Sequence, residues 1–284
     1  MSEEAIQATA VDAISCKIYA GWKKKQSWKS RKNAASVKHG YYEDEALLKL
    51  FAREADSVDR KSPEIARGTW ARVLGTRQEL RSFYENNINA TIRRRKVVIN
   101  CGAGFDTTHW WSKNEELFKT GDLWFDLDME PVVRQRIRRL RMPGAKSLLS
   151  SLKNLKITDS QLSSDSYFIR KLDMKQSSSA DVLEDIKSEF EIDEQTDVCL
   201  LFECVLVYMS TEISGSFLKF AADLFNNLKV ISYEQVYIWE LASATCLQKT
   251  GSETGFFAQN VDSLLDRNFQ GRISDRKTDS RTGF

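Results

Sequence analysis

The sequence predicts an α/β fold: a doubly wound, mostly parallel sheet with N-terminal helical additions and an incomplete or altered C-terminal edge. Three observations predict it. From Lys96 to Glu234, short apolar runs alternate with helical segments, the βαβ grammar of a parallel sheet. The first run, Val97-Val98-Ile99-Asn100-Cys101, breaks abruptly into Gly102-Ala103-Gly104, as a buried strand does where such a sheet opens toward a nucleotide-like ligand. Successive runs then end in acids, at Asp126 and Asp128, at Asp173 and at Glu203, and parallel strands bring all their C-terminal ends to one edge.

The elements follow in order. Residues 5–22 carry Ile6, Val11, Ile14 and Ile18 at helix-compatible spacing, a narrow stripe that predicts a helix packed on something larger. Residues 23–39 are basic, Ser-rich and aperiodic and read as an exposed loop. Helical character returns over 43–56, where Ala46, Leu47, Leu50 and Phe51 share a face. Ser62-Pro63-Glu64 marks a helix start, and that helix runs to about Tyr84. Strands are then expected near 97, 123, 167, 198 and 229, with helices near 107, 131, 181 and 211 between them. Residues 147–166 are polar and Ser-rich and read as a surface excursion. After Val236 the pattern degrades, and 271–284 reads as a disordered tail.

Bulk properties narrow the function. At 284 residues the chain can build one large α/β domain with additions. Its 42 Lys and Arg against 40 Asp and Glu leave a net charge of +2, too mild to imply nucleic acid as an obligatory partner. Lys23-Lys24-Lys25 and Arg93-Arg94-Arg95-Lys96 are local basic patches, read mainly as solvated faces. The five cysteines include no CxxC and no regular spacing, as expected of reduced thiols in a cytoplasmic protein. Two histidines, His39 and His109, belong to no HExxH or paired-ligand spacing, which argues against a histidine-based zinc site or a hydrolase triad; no metal is expected. No apolar segment reaches the roughly 18 residues that cross a bilayer, and the polar Met1-Ser2-Glu3-Glu4 start lacks a signal-peptide core, so no membrane partner is expected.

The candidate ligand-binding residues stand at the strand ends. Glycine at 102 and 104 would let backbone N–H groups approach a ligand that a Cβ would hold off. Asp128 ends Leu123-Trp124-Phe125-Asp126-Leu127-Asp128, one helix beyond the glycine turn, where an acid accepts hydrogen bonds from ribose hydroxyls. Asp126 competes for that role, since side chains two apart on a strand point the same way; the more C-terminal acid is nearer the cleft. Either acid could instead cap the helix that begins near Pro131. Asp173 closes the Tyr167-Phe168-Ile169 run. Glu203 interrupts the longest apolar run, and an unpaired buried charge costs several kcal/mol by roughly any reckoning, so it must reach a cleft or carry a partner.

With these residues assembled, the chain resembles the leucine carboxyl methyltransferase family over roughly residues 8–236. The strings that carry the resemblance are Ala8-Thr9-Ala10 through Cys16-Lys17, Pro63-Glu64-Ile65 through Arg67-Gly68 to Ala71-Arg72-Val73, Gly102-Ala103-Gly104-Phe105-Asp106-Thr107-Thr108, and Glu203-Cys204-Val205-Leu206-Val207-Tyr208-Met209 with Tyr233-Glu234-Gln235-Val236. The resemblance implies a sheet of the S-adenosylmethionine-dependent methyltransferase type and methylation of the C-terminal leucine carboxylate of the protein phosphatase 2A catalytic subunit. It implies S-adenosyl-L-methionine as cofactor, with Lys17 and Arg72 holding its carboxylate, Gly102 as the backbone approach and Asp128 on the ribose. Asp173 and Met174 would flank the adenine, and Glu203 would lie beneath the cofactor. Arg72 and Tyr208 are the catalytic candidates, Tyr208 as part of the substrate pocket; catalysis would rest on positioning rather than acid/base chemistry, with no essential histidine. On this basis residues 1–95 form a helical lid and substrate-side segment, 96–236 the cofactor-binding core and 237–284 a divergent C-terminal segment, in a protein expected to be monomeric. Two departures stand out: residues 23–36 look like an insertion, and the ending after Val236 is short and different, which leaves a catalytically impaired scaffold that binds the phosphatase as the alternative. The tRNA-modifying relative of the same superfamily adds a repeat-rich propeller region, and this sequence has none.

Overall fold

The computed structural model describes residues 3–21, 42–51, 61–86, 93–235 and 254–260. In chain order its main elements are α1 (Glu3–Gly21), α2 (Glu45–Leu50), α3 (Pro63–Glu85), β1 (Arg95–Cys101), α4 (Thr108–Asn114), β2 (Leu123–Asp128) and α5 (Glu130–Leu140). There follow α6 (Lys146–Leu149), β3 (Lys156–Ile157), β4 (Leu162–Ser163), β5 (Tyr167–Lys171), α7 (Ser179–Glu189), β6 (Thr196–Glu203), α8 (Thr211–Leu224), β7 (Leu228–Gln235) and β8 (Thr254–Asn260).

The strands form one sheet in the order β3-β4-β5-β2-β1-β6-β7-β8. Its centre, β5-β2-β1-β6-β7, is parallel, and the chain winds from β1 outward through β2 and β5 on one side and through β6 and β7 on the other. That is the doubly wound arrangement of S-adenosylmethionine-type methyltransferases, with its switch point between β1 and β6. Alternation along the strands splits the core into two layers. Val97, Ile99 and Cys101 of β1 face Leu183 and Ile186 of α7 and Phe217 and Ala221 of α8. Val98, Trp124, Leu201 and Ile231 face the other way, against Val133 and Ile137 of α5 and also against Ile14 and Ile18 of α1 and Leu80 and Phe83 of α3. The N-terminal helices therefore share the hydrophobic core of one sheet face.

Local chemistry explains the starts. Ser62 Oγ accepts the Ile65 N–H at 3.3 Å with Pro63 in the first turn of α3, and Asp44 Oδ1 accepts the Leu47 N–H at 2.9 Å to cap α2. Three expectations are modified. Helix α2 is shorter than the 43–56 pattern, and 52–60 lie outside the described residues. The 147–166 excursion contains α6 and a small hairpin, β3 and β4, which extends the sheet antiparallel beyond β5 and buries Leu162 against it. Two-residue strands carry too little alternation to be read from sequence. The far edge is altered rather than missing: β8 pairs antiparallel with β7 from Lys229↔Asn260 to Gln235↔Thr254, giving that edge backbone partners. The basic loop at 23–39 and the tail at 271–284 lie outside the described residues. Among the described residues no helix is long and apolar enough to cross a membrane.

Candidate functional site

A pocket opens at the C-terminal ends of the parallel strands, beside the switch point, and is roofed by α1 and α3. Lys17, Arg72, Gly102, Asp128, Asp173, Met174, Glu203 and Tyr208 all line it. The sequence-derived set thus converges on one cavity.

Its floor is the turn after β1. Gly102 (φ +69°) and Gly104 (φ +52°) adopt left-handed backbone, and a Cβ on Gly102 would lie 2.6 and 2.9 Å from the Val205 methyls. The expectation that the Gly102 amide faces a ligand is corrected: the N–H groups of Gly102 and Ala103 both donate to the Leu127 carbonyl, at 2.8 and 3.0 Å. The glycine is required because Val205 closes over it.

The two acids of β2 separate cleanly. Asp126 is buried, accepting from Asn100 Nδ2 (2.9 Å), Trp124 Nε1 (2.9 Å), Arg136 Nη2 (2.5 Å) and Tyr167 Oη (2.5 Å), so every contact it makes is internal. Asp128, one pleat further on, lines the pocket and accepts from the amides of Gly104 (2.6 Å) and Met129 (2.7 Å). Burial pushes its carboxyl up to about 6 against the pull of those amides. Neither acid is a side-chain cap for α5, where the residue before the helix is Met129.

Glu203 ends β6, and it has partners. Arg72 Nε donates to Oε1 and Arg72 Nη2 to the Glu203 carbonyl at 3.1 Å, while Lys17 Nζ donates to Oε2 at 2.9 Å. Lys17 Nζ also reaches Asp106 Oδ1 at 3.2 Å, so two cations from α1 and α3 meet two carboxylates from the sheet edge. Burial would lower the Lys17 ammonium, but Glu203 and Asp106 outweigh it and hold the group above its usual range. Burial likewise opposes ionisation of Asp106; Lys17, the Thr108 hydroxyl and Arg136 prevail and bring it down to about 2. Lys17 and Asp106 are therefore both charged at neutral pH.

Around this charged cluster the pocket is apolar, with Ala10, Ile14, Phe105, Leu172 and Met174 on its walls. Asp173 accepts from the Lys175 amide and from Gln176 Nε2, each at 3.0 Å. Tyr208 and Met209 line the pocket from the turn after β6. His109 does not line the pocket. It is stacked on Tyr167 at 4.4 Å, and burial depresses its basicity far enough to keep the ring neutral.

Sequence reasoning assigned no role to Asp106, although it stands two residues beyond Gly104 in the quoted turn. It also missed Glu234, which accepts the amides of Val205, Leu206 and Val207.

Comparison with known proteins shows the family. The family model described as leucine carboxyl methyltransferase matches residues 26–222, a span that contains every pocket residue named above except those of α1. Leucine carboxyl methyltransferase 1 of Bos taurus is 32% identical over 241 residues, covering 82% of this chain and 63% of that protein. Its Rattus norvegicus counterpart is 31% identical over 238 residues, with the same coverage. The Homo sapiens tRNA wybutosine-synthesizing protein 4 is 26% identical over 199 residues, covering 69% of this chain and 28% of its own length. The chain thus spans somewhat under two thirds of the leucine carboxyl methyltransferases it matches. It belongs to the leucine carboxyl methyltransferase family.

Proposed function

We propose that this chain transfers a methyl group from S-adenosylmethionine to the C-terminal leucine α-carboxylate of the protein phosphatase 2A catalytic subunit, forming a methyl ester. The observation that carries the reading is the convergence of Lys17, Arg72, Asp128, Asp173 and Glu203 on one pocket at the sheet switch point. The donor set suits such a cofactor. Lys17 and Arg72 would hold the methionyl carboxylate, Glu203 the adjoining ammonium, Asp128 the ribose hydroxyls, and Asp173 with Met174 the adenine.

S-adenosylmethionine, when bound, supplies an electrophilic methyl group on a sulfonium. The acceptor needs no general base, because an α-carboxylate with a pKa of roughly 3.5 is ionised at neutral pH. What remains for the protein is to align the acceptor and strip water from it, effects worth several kcal/mol by rough measure. Tyr208 and Met209 stand on the turn where the acceptor would enter, and no titrating histidine is needed there.

The test is transfer of labelled methyl groups to a phosphatase catalytic subunit ending in leucine, paired with calorimetric titration of S-adenosylhomocysteine. Binding with transfer is expected. Binding without transfer would replace the enzyme by a phosphatase-binding scaffold, and a folded sample that binds neither cofactor form would overturn the site assignment itself.

A further inference from the structure

Beyond the residues that touch ligand, we infer that Glu234 is the positioning residue that sets the acceptor-side wall of the pocket; the inference rests on the methyl-transfer reading for its functional half. The observation is a carboxylate on β7 that binds three consecutive backbone amides 27 to 29 residues earlier in the chain. Oε1 accepts from Val205 (3.2 Å) and Leu206 (3.0 Å), Oε2 accepts from Val207 (3.3 Å), and the Ser232 hydroxyl donates to Oε1 at 3.2 Å.

These amides open the 3-10 turn Leu206–Tyr208, whose preceding residue, Val205, makes no side-chain cap. Such amides otherwise have no intrahelical acceptor. The backbone enters the turn through Cys204 at φ +58°, a left-handed conformation that costs a non-glycine residue roughly 1–2 kcal/mol. The Cys204 N–H is itself held by the Tyr233 carbonyl at 2.7 Å. One short stretch of β7 therefore pins four successive amides, and with them Val205 against Gly102 and Tyr208 and Met209 along the pocket. Glu234 is not among the pocket-lining residues, so it acts through the turn. Its three amide partners lie beyond Glu203, whereas the ribose and adenine sides are built on β1, β2 and β5.

The test compares Glu234→Gln and Glu234→Ala with the unaltered chain. Glutamine keeps one acceptor oxygen for Val205 and Leu206 but turns an NH2 donor toward the Val207 amide, so it should fall between the other two. Hydrogen exchange of the 204–209 amides should quicken by roughly tenfold or more in the alanine variant. KM for a phosphatase catalytic subunit ending in leucine should rise about fivefold or more, while the dissociation constant of S-adenosylhomocysteine changes less than about twofold. Unchanged exchange at 204–209 in a folded alanine variant would overturn the inference, as would a loss of S-adenosylhomocysteine affinity equal to the loss of kcat/KM. If the unaltered chain transfers no methyl group, the methyl-transfer reading fails, and the pinning of the turn stands or falls on the exchange data alone.

Discussion

Replacing Gly102 by alanine should be among the most damaging small substitutions in the chain, and the structure allows its cost to be divided. A Cβ at that position meets Val205 Cγ2 at 2.6 Å and Cγ1 at 2.9 Å, while the backbone sits at φ +69°. The left-handed backbone alone costs roughly 1–2 kcal/mol for a residue with a Cβ, and overpacking costs about 1–3 kcal/mol more. Val205 has little freedom to retreat: it is β-branched, and its amide is held by Glu234. Gly104→Ala is the internal control. Its φ of +52° carries the same conformational cost, but the nearest atom to its new Cβ, Ala10 Cβ at 3.8 Å, is an ordinary contact. Urea unfolding should therefore rank Gly102→Ala below Gly104→Ala by about 1–3 kcal/mol. In a double-mutant cycle with Val205→Ala, most of that difference should return as a coupling energy. The reasoning is refuted if the two alanine variants unfold within about 0.5 kcal/mol of each other and the cycle is additive.

Four further outcomes test the site. Because Asp128 has a pKa of about 6 in the folded chain against an ordinary 3.8, the stability it contributes is complete below about 3.8 and is lost as pH rises through about 6; an Asp128→Asn variant should lack that fall when unfolding midpoints are compared across this window. If ribose hydroxyls bind the ionised form, S-adenosylhomocysteine should bind the unaltered chain about tenfold more weakly at about pH 5 than at about pH 7.5, since a group of that pKa is then only about one-eleventh ionised; equal affinities would contradict the role. Asp126→Asn should do the reverse, costing about 3–5 kcal/mol of stability by stranding Arg136 while changing cofactor-product affinity less than about twofold, and parallel loss of both would show the two acids to be one functional unit. Lys17→Met leaves Glu203 and Asp106 short of a cation and should destabilise the chain by about 3 kcal/mol, with partial recovery in Lys17→Met/Glu203→Gln; a double variant no more stable than the single one would show that the charges are not coupled.

The strand tips were legible because each is a local pattern. An apolar run ending in Gly or an acid says where the strand stops and which chemistry stands at its end, and parallel pairing does the rest. The Ser62-Pro63 start was legible for the same reason. The glycine turn was only half read: its sequence announces a positive φ, but whether the turn's amides face a ligand or the Leu127 carbonyl depends on how far β2 extends beside it. Arg136 was not legible at all. It lies among Arg134, Arg138 and Arg139 on one helix, and periodicity could not say which guanidinium would be buried against Asp126. The pair Lys17 and Arg72 entered only through family resemblance, since a lone charge on a helix is ordinarily solvated and its partner here is Glu203, 186 and 131 positions away.

That long-range pairing follows from the one anomaly the sequence did display. A carboxylate that follows directly on the apolar run Val198–Phe202 requires compensation, and the parallel sheet offers none from its own neighbours: the residue paired with Glu203 on β7 is Tyr233. The cations must come from outside the sheet, and α1 and α3 each supply one. Binding of those helices to the sheet edge is then partly electrostatic, through the same groups proposed to hold the cofactor's carboxylate and ammonium. A ligand that brings both charges can engage the cluster without leaving a net unpaired charge, whereas one that brings a carboxylate alone would meet Glu203 and Asp106 as well as Lys17 and Arg72. S-adenosylhomocysteine should accordingly bind more tightly than its analogue lacking the α-amino group, and Glu203→Gln should shrink that preference. A preference unaltered by Glu203→Gln would separate the acid from the cofactor and leave it the purely architectural task of tying α1 and α3 to β6.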